Sequence, residues 1–239
     1  MVGATMADWS VELKDVRKTY RMGSIEVPAL RGISLQVARG EFLAIAGSSG
    51  CGKTTLLNII GGLDRADSGE VLVEGENLQR LSAAGLAGLR LRRIGFVFQA
   101  YNLLPVLTAL ENAEFTLLLQ GMPARERKER VERLFSEIGL AGLESRRPGE
   151  LSGGQQQRVA VARAMVTDPA LVLADEPTAN LDSTTATALL DVMEHLNRAH
   201  GTTFVYATHD PEVMVRAHRL IRLHDGQIVS EVVNPTRAL

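Results

Sequence analysis

Phosphate chemistry can be read in three short stretches of the chain. In Gly47-Ser48-Ser49-Gly50-Cys51-Gly52-Lys53-Thr54, followed by Thr55, the pattern G-x-x-x-x-G-K-[ST] is complete. Glycines let successive backbone N–H groups turn inward around phosphate oxygens, and a following helix aims the positive end of its dipole at the same anion. Lys53 would reach the β- and γ-phosphates as a point charge, and the Thr54 hydroxyl suits a magnesium ion. Farther on, an apolar run over 171–174 ends in Asp175 and Glu176. A buried strand there would leave Asp175 at the carboxyl edge of its sheet, beside the phosphate loop, to hold Mg²⁺ through a water. Glu176 would then polarise the attacking water as general base. Leu151-Ser152-Gly153-Gly154-Gln155 offers a capping serine and two glycines whose N–H groups can approach an anion. Two helix N-termini, at Lys53 and at Ser152, are thus candidates for gripping phosphate.

Such residues work only if secondary structure positions them. Residues 41–46 form a short, nearly all-apolar run suited to a buried strand, and it leads straight into the glycine-rich loop. Leu56, Leu57, Ile59 and Ile60 fit a helix that ends at Gly61-Gly62. Alternation over 10–20 and 33–37 predicts half-buried strands. Further strands are expected over 94–98, ending at Gln99, over 171–174, and over 203–208, ending before His209. A hairpin is expected around Asp225-Gly226, with strands over 221–223 and 227–232. Helical patterns cover 125–139, with Val131, Leu134, Phe135 and Ile138 on one face, then 155–166 and 183–199. Strands alternating with helices predict an α/β fold with a mostly parallel sheet. The helix-only stretch 101–148 breaks that alternation, so a helical subdomain at about 101–165 is expected within one domain over 1–239.

Composition narrows the function classes. The 239 residues suffice for a full hydrophobic core, with roughly 70% of the unfolded surface buried. A net charge of −2 gives no basic excess for nucleic acid or anionic lipid, so no nucleic-acid partner is expected. One cysteine excludes an internal disulfide, and no Cys/His cluster has metal-ligand spacing. No apolar run reaches the length of about 18 residues needed for a membrane span. The opening MVGATMADWSVELKDV lacks a long apolar run behind a basic start, so no secretory signal is expected there.

Taken in this order, the motifs resemble those of the ATP-binding cassette (ABC) ATPases over about residues 10–232. The resemblance implies a P-loop NTPase core, an N-terminal antiparallel β-subdomain and an inserted α-helical subdomain, with ATP and Mg²⁺ as cofactors. It identifies 47–54 with the Walker A loop, 151–155 with the signature motif, Asp175 and Glu176 with the end of the Walker B strand, and 179–182 with the D-loop. By the same resemblance, Gln99 would contact Mg²⁺ and the attacking water, His209 the γ-phosphate, and Tyr20 would stack on adenine. In that family Ser152, Gly153, Gly154 and Gln155 would complete the ATP site of a second copy, giving an ATP-dependent head-to-tail homodimer. Cys51 stands where Ser is more usual and Ala179 where Gly is frequent; the Cys51 thiol, near Lys53 and a helix start, is expected to be ionisable and guarded by nucleotide.

Spacing in 18–32, 98–112 and 151–159 is similar to that of the lipoprotein-release and macrolide-export ATPases. That likeness implies integral-membrane permease subunits as partners. It also implies a cytoplasmic location, peripheral on the inner face of the cell membrane. The unusually apolar segment 101–120 is the expected docking face. ABC ATPases of chromosome maintenance need a long coiled coil, for which the roughly 50 residues between Gln99 and Leu151 are too few. Translation-type members carry two cassettes, and this chain has one. A cytosolic assembly ATPase remains as the alternative.

Overall fold

The computed structural model describes residues 9–235; the first eight residues, part of the segment where no secretory signal is expected, and 236–239 lie outside the described residues. Strand β1 (Trp9–Met22) folds back through a two-residue turn onto β2 (Ile25–Ala38). The sequence pattern marked only 33–37 of β2, because Ile25 to Pro28 are exposed on both faces and burial begins to alternate near Leu30. Strand β3 (Phe42–Ala46) then starts a second sheet and is buried along its whole length. After the glycine-rich loop comes α1 (Lys53–Ile60). Strands β4 (Ser68–Val73) and β5 (Glu76–Asn77) return to the first sheet, whose order β2-β1-β4-β5 is antiparallel throughout. This is the expected N-terminal β-subdomain.

The chain continues through α2 (Ala83–Arg93), β6 (Ile94–Val97), α3 (Ala109–Leu119), α4 (Ala124–Glu137) and α5 (Gly153–Met165). It closes with β7 (Leu171–Asp175), α6 (Ser183–His200), β8 (Thr203–Thr208), α7 (Pro211–Arg216), β9 (Arg219–His224) and β10 (Gln227–Val233). The second sheet has the order β10-β9-β3-β8-β7-β6, and every neighbouring pair is parallel except β9 and β10. Helix α2 escaped the sequence pattern because only Leu86 and Leu89 are buried and two glycines dilute its period; Ser82 nonetheless caps it by accepting from the Gly85 N–H at 3.1 Å.

Alternate residues of the buried strands feed two separate cores. Leu43, Ile45, Leu171, Leu173, Val205 and Ala207 face α1, α2 and the antiparallel sheet. Phe42, Ala44, Val172, Ala174, Phe204 and Tyr206 face α3 to α7. A two-residue period can serve both faces because both are covered, which is why these strands read as continuous apolar runs. Helix α3 begins with a Thr108/Glu111 capping box and packs on α4 and α5. Glu137 of α4 lies 3.0 Å from His195 and 3.2 Å from His200 on α6, tying the helical subdomain to the core.

Candidate functional site

Four loops meet at one edge of the parallel sheet. In the order β3-β8-β7-β6, the carboxyl ends of adjacent strands deliver the glycine-rich loop, His209, Asp175-Glu176 and Gln99 respectively. That is the edge at which parallel α/β sheets bind ligands. The four groups line one open cavity of about 710 Å³, together with Tyr20 and Val27 from the antiparallel sheet and Ala179 from the loop after Glu176.

The glycine-rich loop is built around Lys53. Its Nζ donates to the carbonyls of Gly47 at 2.7 Å and Ser48 at 3.1 Å, and the side chain is only 8% exposed. The ammonium is therefore held under the loop, 3.9 Å from Glu176 Oε1. Gly52, just before α1, has φ = 108°, and an added Cβ would come within 2.6 Å of the Ala29 carbonyl, so only glycine fits this entry into the helix. Ser48, Ser49, Gly50, Thr54 and Thr55 line the cavity. Cys51 does not: its side chain is buried in the core beneath the loop, among the residues around α1. The expectation of an accessible, nucleotide-guarded thiol is corrected accordingly, and only the Cys51 backbone can serve the loop.

Glu176 sits in the left-handed region at φ = 48°, a cost of roughly 1–2 kcal/mol for a residue with a side chain. Its N–H donates to the Ala207 carbonyl at 2.9 Å, which holds the unusual turn. Oε2 accepts from the His209 backbone N–H at 3.3 Å and lies 2.9 Å from His209 Nδ1. His209 itself is largely exposed and can reach outward. Asp175 contrasts with it. Burial pushes its carboxyl above the ordinary range and the Glu176 charge adds to this, against the Thr54 hydroxyl and Lys53. Its Oδ1 is buried with no hydrogen-bond partner. An orphaned buried carboxylate oxygen beside a threonine hydroxyl, with Gln99 on the same cavity, suits a hard divalent cation. Among the described residues no group of three or more His, Cys, Asp or Glu could hold a metal by itself, so such a cation would share its shell with phosphate and water.

Ser152, Gly153, Gly154 and Gln155 are not in this cavity. They open α5, where Ser152 Oγ accepts from the Gln155 N–H at 3.3 Å and Gln155 Oε1 accepts from the Ser152 N–H at 2.9 Å. Gly154 has a packing reason that the anion argument missed: a Cβ there would collide with Thr185 Cγ2 of α6. Residues to which the sequence assigned no role of their own also shape the site. Gln157, fully buried, donates to the Pro177 carbonyl at 2.9 Å and the Phe98 carbonyl at 3.3 Å, fastening the loops after β7 and β6 to α5. Asn180 Nδ2 donates to the Gln99 carbonyl at 2.9 Å. Thr178 Oγ1 donates to Asp210 Oδ2 at 2.9 Å, next to His209.

A family model described as "ABC transporter" matches residues 30–179. The lipoprotein-releasing system ATP-binding protein LolD of Geobacter metallireducens is 46% identical over 221 residues, covering 92% of this chain and 98% of that protein. The macrolide export ATP-binding/permease protein MacB of Syntrophobacter fumaroxidans is 48% identical over 223 residues, covering 92% of this chain and 31% of that much longer protein. A dimeric structure of a post-hydrolysis state of the ATP-binding cassette MJ0796 bound to ADP and Pi superposes with a TM-score of 0.86 at 42% identity, covering 93% of this chain and 98% of that one.

Proposed function

The chain belongs to the ABC transporter family, and we propose that its cavity is the ATP site through which it powers a permease of the lipoprotein-release or macrolide-export type. It is an ATP-binding subunit that hydrolyses ATP. One observation carries the assignment of roles: Lys53, Asp175, Glu176, Gln99 and His209 converge on one cavity at the carboxyl edge of the sheet. The 47–55 loop and α1 would cradle the phosphates, with Lys53 as the charge under the β- and γ-phosphates. Asp175, Thr54 and Gln99 would hold Mg²⁺, which neutralises phosphate charge when bound. Glu176 would take the proton of the attacking water, its carboxylate oriented by the His209 N–H, while the His209 ring reaches for the γ-phosphate. Tyr20 would carry the base.

Because Ser152 and Gly153 lie outside the chain's own cavity, the reading needs a second copy to bring them to the nucleotide. A head-to-tail pair would close two equivalent sites, each with one 47–55 loop and one Ser152 helix start. Phosphate release would remove the anion that bridges the copies and let them part.

Asp175→Asn tests the site directly. A carboxyl whose folded pKa lies above its unfolded value makes the fold less stable as pH rises through that folded pKa, and the penalty is complete above it. The nucleotide-free variant is therefore expected to melt at a higher temperature than the parent at neutral pH, with the difference shrinking in acid, while Mg²⁺-dependent ATP hydrolysis falls to background. Parent-level hydrolysis by Asp175→Asn would remove Asp175 from the cation site.

Support for a permease comes from a second, apolar groove of about 620 Å³, lined by Ala87 and Leu91 of α2, Phe96 and Phe98, Leu119 of α3, and Arg163 of α5. Arg163 donates to the Tyr101 carbonyl at 2.9 Å and the Asn102 carbonyl at 2.5 Å, so an occupant would bear on the segment that follows Gln99. We assign the groove to an amphipathic cytoplasmic helix of the permease, with the chain at the membrane's inner face; among the described residues no helix is long and apolar enough to cross a membrane. Ala87→Glu is expected to leave ATPase activity of the isolated chain within twofold and to abolish co-purification with the permease. Undiminished co-purification would move the docking site elsewhere.

A further inference from the structure

We propose that Lys18 and Asp64 are positioning residues that hold the Tyr20 ring as a one-sided platform for the nucleotide base. The inference rests on the ATP reading of the cavity and specifies how its base end is made. Lys18 and Tyr20 are two residues apart on β1, hence on one face of the strand. The Lys18 Nζ stands 5.1 Å from the Tyr20 ring centroid. Tyr20 lines the cavity and Lys18 does not; in the proposed arrangement the ammonium backs the ring from the side away from the ligand. At 12% side-chain exposure this lysine is no ordinary surface charge.

One carboxylate holds both groups. Asp64 Oδ1 accepts from Lys18 Nζ at 2.9 Å, and Oδ2 accepts from the Tyr20 hydroxyl at 2.8 Å. Lys18 Nζ also donates to the Arg65 carbonyl at 2.8 Å, and Asp67 Oδ2 accepts from the Thr19 N–H at 2.7 Å. Partial burial works to raise the Asp64 carboxyl, but hydrogen bonds from Lys18, Tyr20 and the Arg65 N–H outweigh it and keep it ionised below the usual range.

The anchor of this latch is α1. The Asp64 N–H donates to the Asn58 carbonyl at 3.1 Å, within the helix whose first turn carries Lys53 and Thr54. One rigid element therefore sets both the phosphate grip and, through Asp64, the base platform on the other sheet. A ring already fixed in its binding rotamer loses less freedom when a base stacks on it. The cation behind it occupies one π-face, leaving the cavity face for the base.

The test separates base from phosphate binding. In Lys18→Met and Asp64→Asn, KM for MgATP is expected to rise about 3- to 10-fold with kcat within twofold. Lys18→Arg, which keeps a cation and donors, is expected to restore most of the affinity. Competitive inhibition by magnesium tripolyphosphate, which has no base, should stay unchanged in all three. Tyr20→Ala serves as the reference: if it raises KM and the other two do not, the latch is refuted while the ATP site stands. An unchanged KM in Tyr20→Ala would refute stacking and the latch together. Weakened tripolyphosphate inhibition in parallel with ATP would show that the substitutions act through the phosphate loop, and would also overturn the proposal.

Discussion

Glu176→Gln is expected to bind ATP as tightly as the parent and to hydrolyse it about 10²- to 10⁴-fold more slowly. The amide keeps the size of the carboxylate and an oxygen that can still accept from the His209 N–H, so the turn at φ = 48° has no new strain to absorb. What disappears is the proton acceptor. The negative charge 3.9 Å from Lys53 goes as well, and its loss leaves the ammonium freer for phosphate. With the γ-phosphate retained, the two-copy assembly should accumulate. Size-exclusion chromatography with MgATP should show a dimer for Glu176→Gln and a smaller species for the parent at steady state. Hydrolysis at the parent rate would take the general-base role away from Glu176.

The second large effect concerns what one chain lends another. Lys53→Ala removes a buried ammonium that makes two hydrogen bonds within its loop, and nucleotide affinity should fall about 10- to 100-fold. Ser152→Asp should still cap α5, since aspartate is as good an N-cap as serine, yet it sets a carboxylate where the partner's triphosphate would lie. Each variant alone carries a defect in both composite sites and should show under a few per cent of parent activity, because a lost phosphate contact or an added like charge acts on every site. Mixed one to one, half of the dimers are heterodimers in which one site unites an intact 47–55 loop with an intact Ser152 helix start. Activity should recover to about a quarter of the parent's if the sites act independently. With independent sites, no recovery on mixing would mean that Lys53 and Ser152 serve the same copy, and the head-to-tail arrangement would fall.

How far the site was legible in the sequence differs from residue to residue. The 47–54 loop and the Ser152 cap were legible because their pattern is local: a run of neighbours can turn its own N–H groups toward an anion, or one side chain reaches three residues ahead. Strands β3, β7 and β8 were legible because burial on both faces leaves an unbroken apolar run. Strand β2 and helix α2 were not, since much of each faces solvent and carries no period. The reading of Cys51 failed for a related reason. Proximity to Lys53 in sequence says nothing about the side of the loop on which a thiol points, and the core took it.

By itself, then, the order of amino acids determined that this chain has two glycine-rich helix starts suited to phosphate and carries a carboxylate pair after a buried strand. Only the tertiary structure decided that Gln99, Asp175, Glu176 and His209 share an edge, because the sheet order β3-β8-β7-β6 interleaves strands that are far apart in the chain. It alone joined Lys18 and Tyr20 through Asp64, and it gave Gly154 its close approach to Thr185. Contacts of this kind depend on register and packing between distant segments, and no local pattern of residue types encodes which segment will be the neighbour.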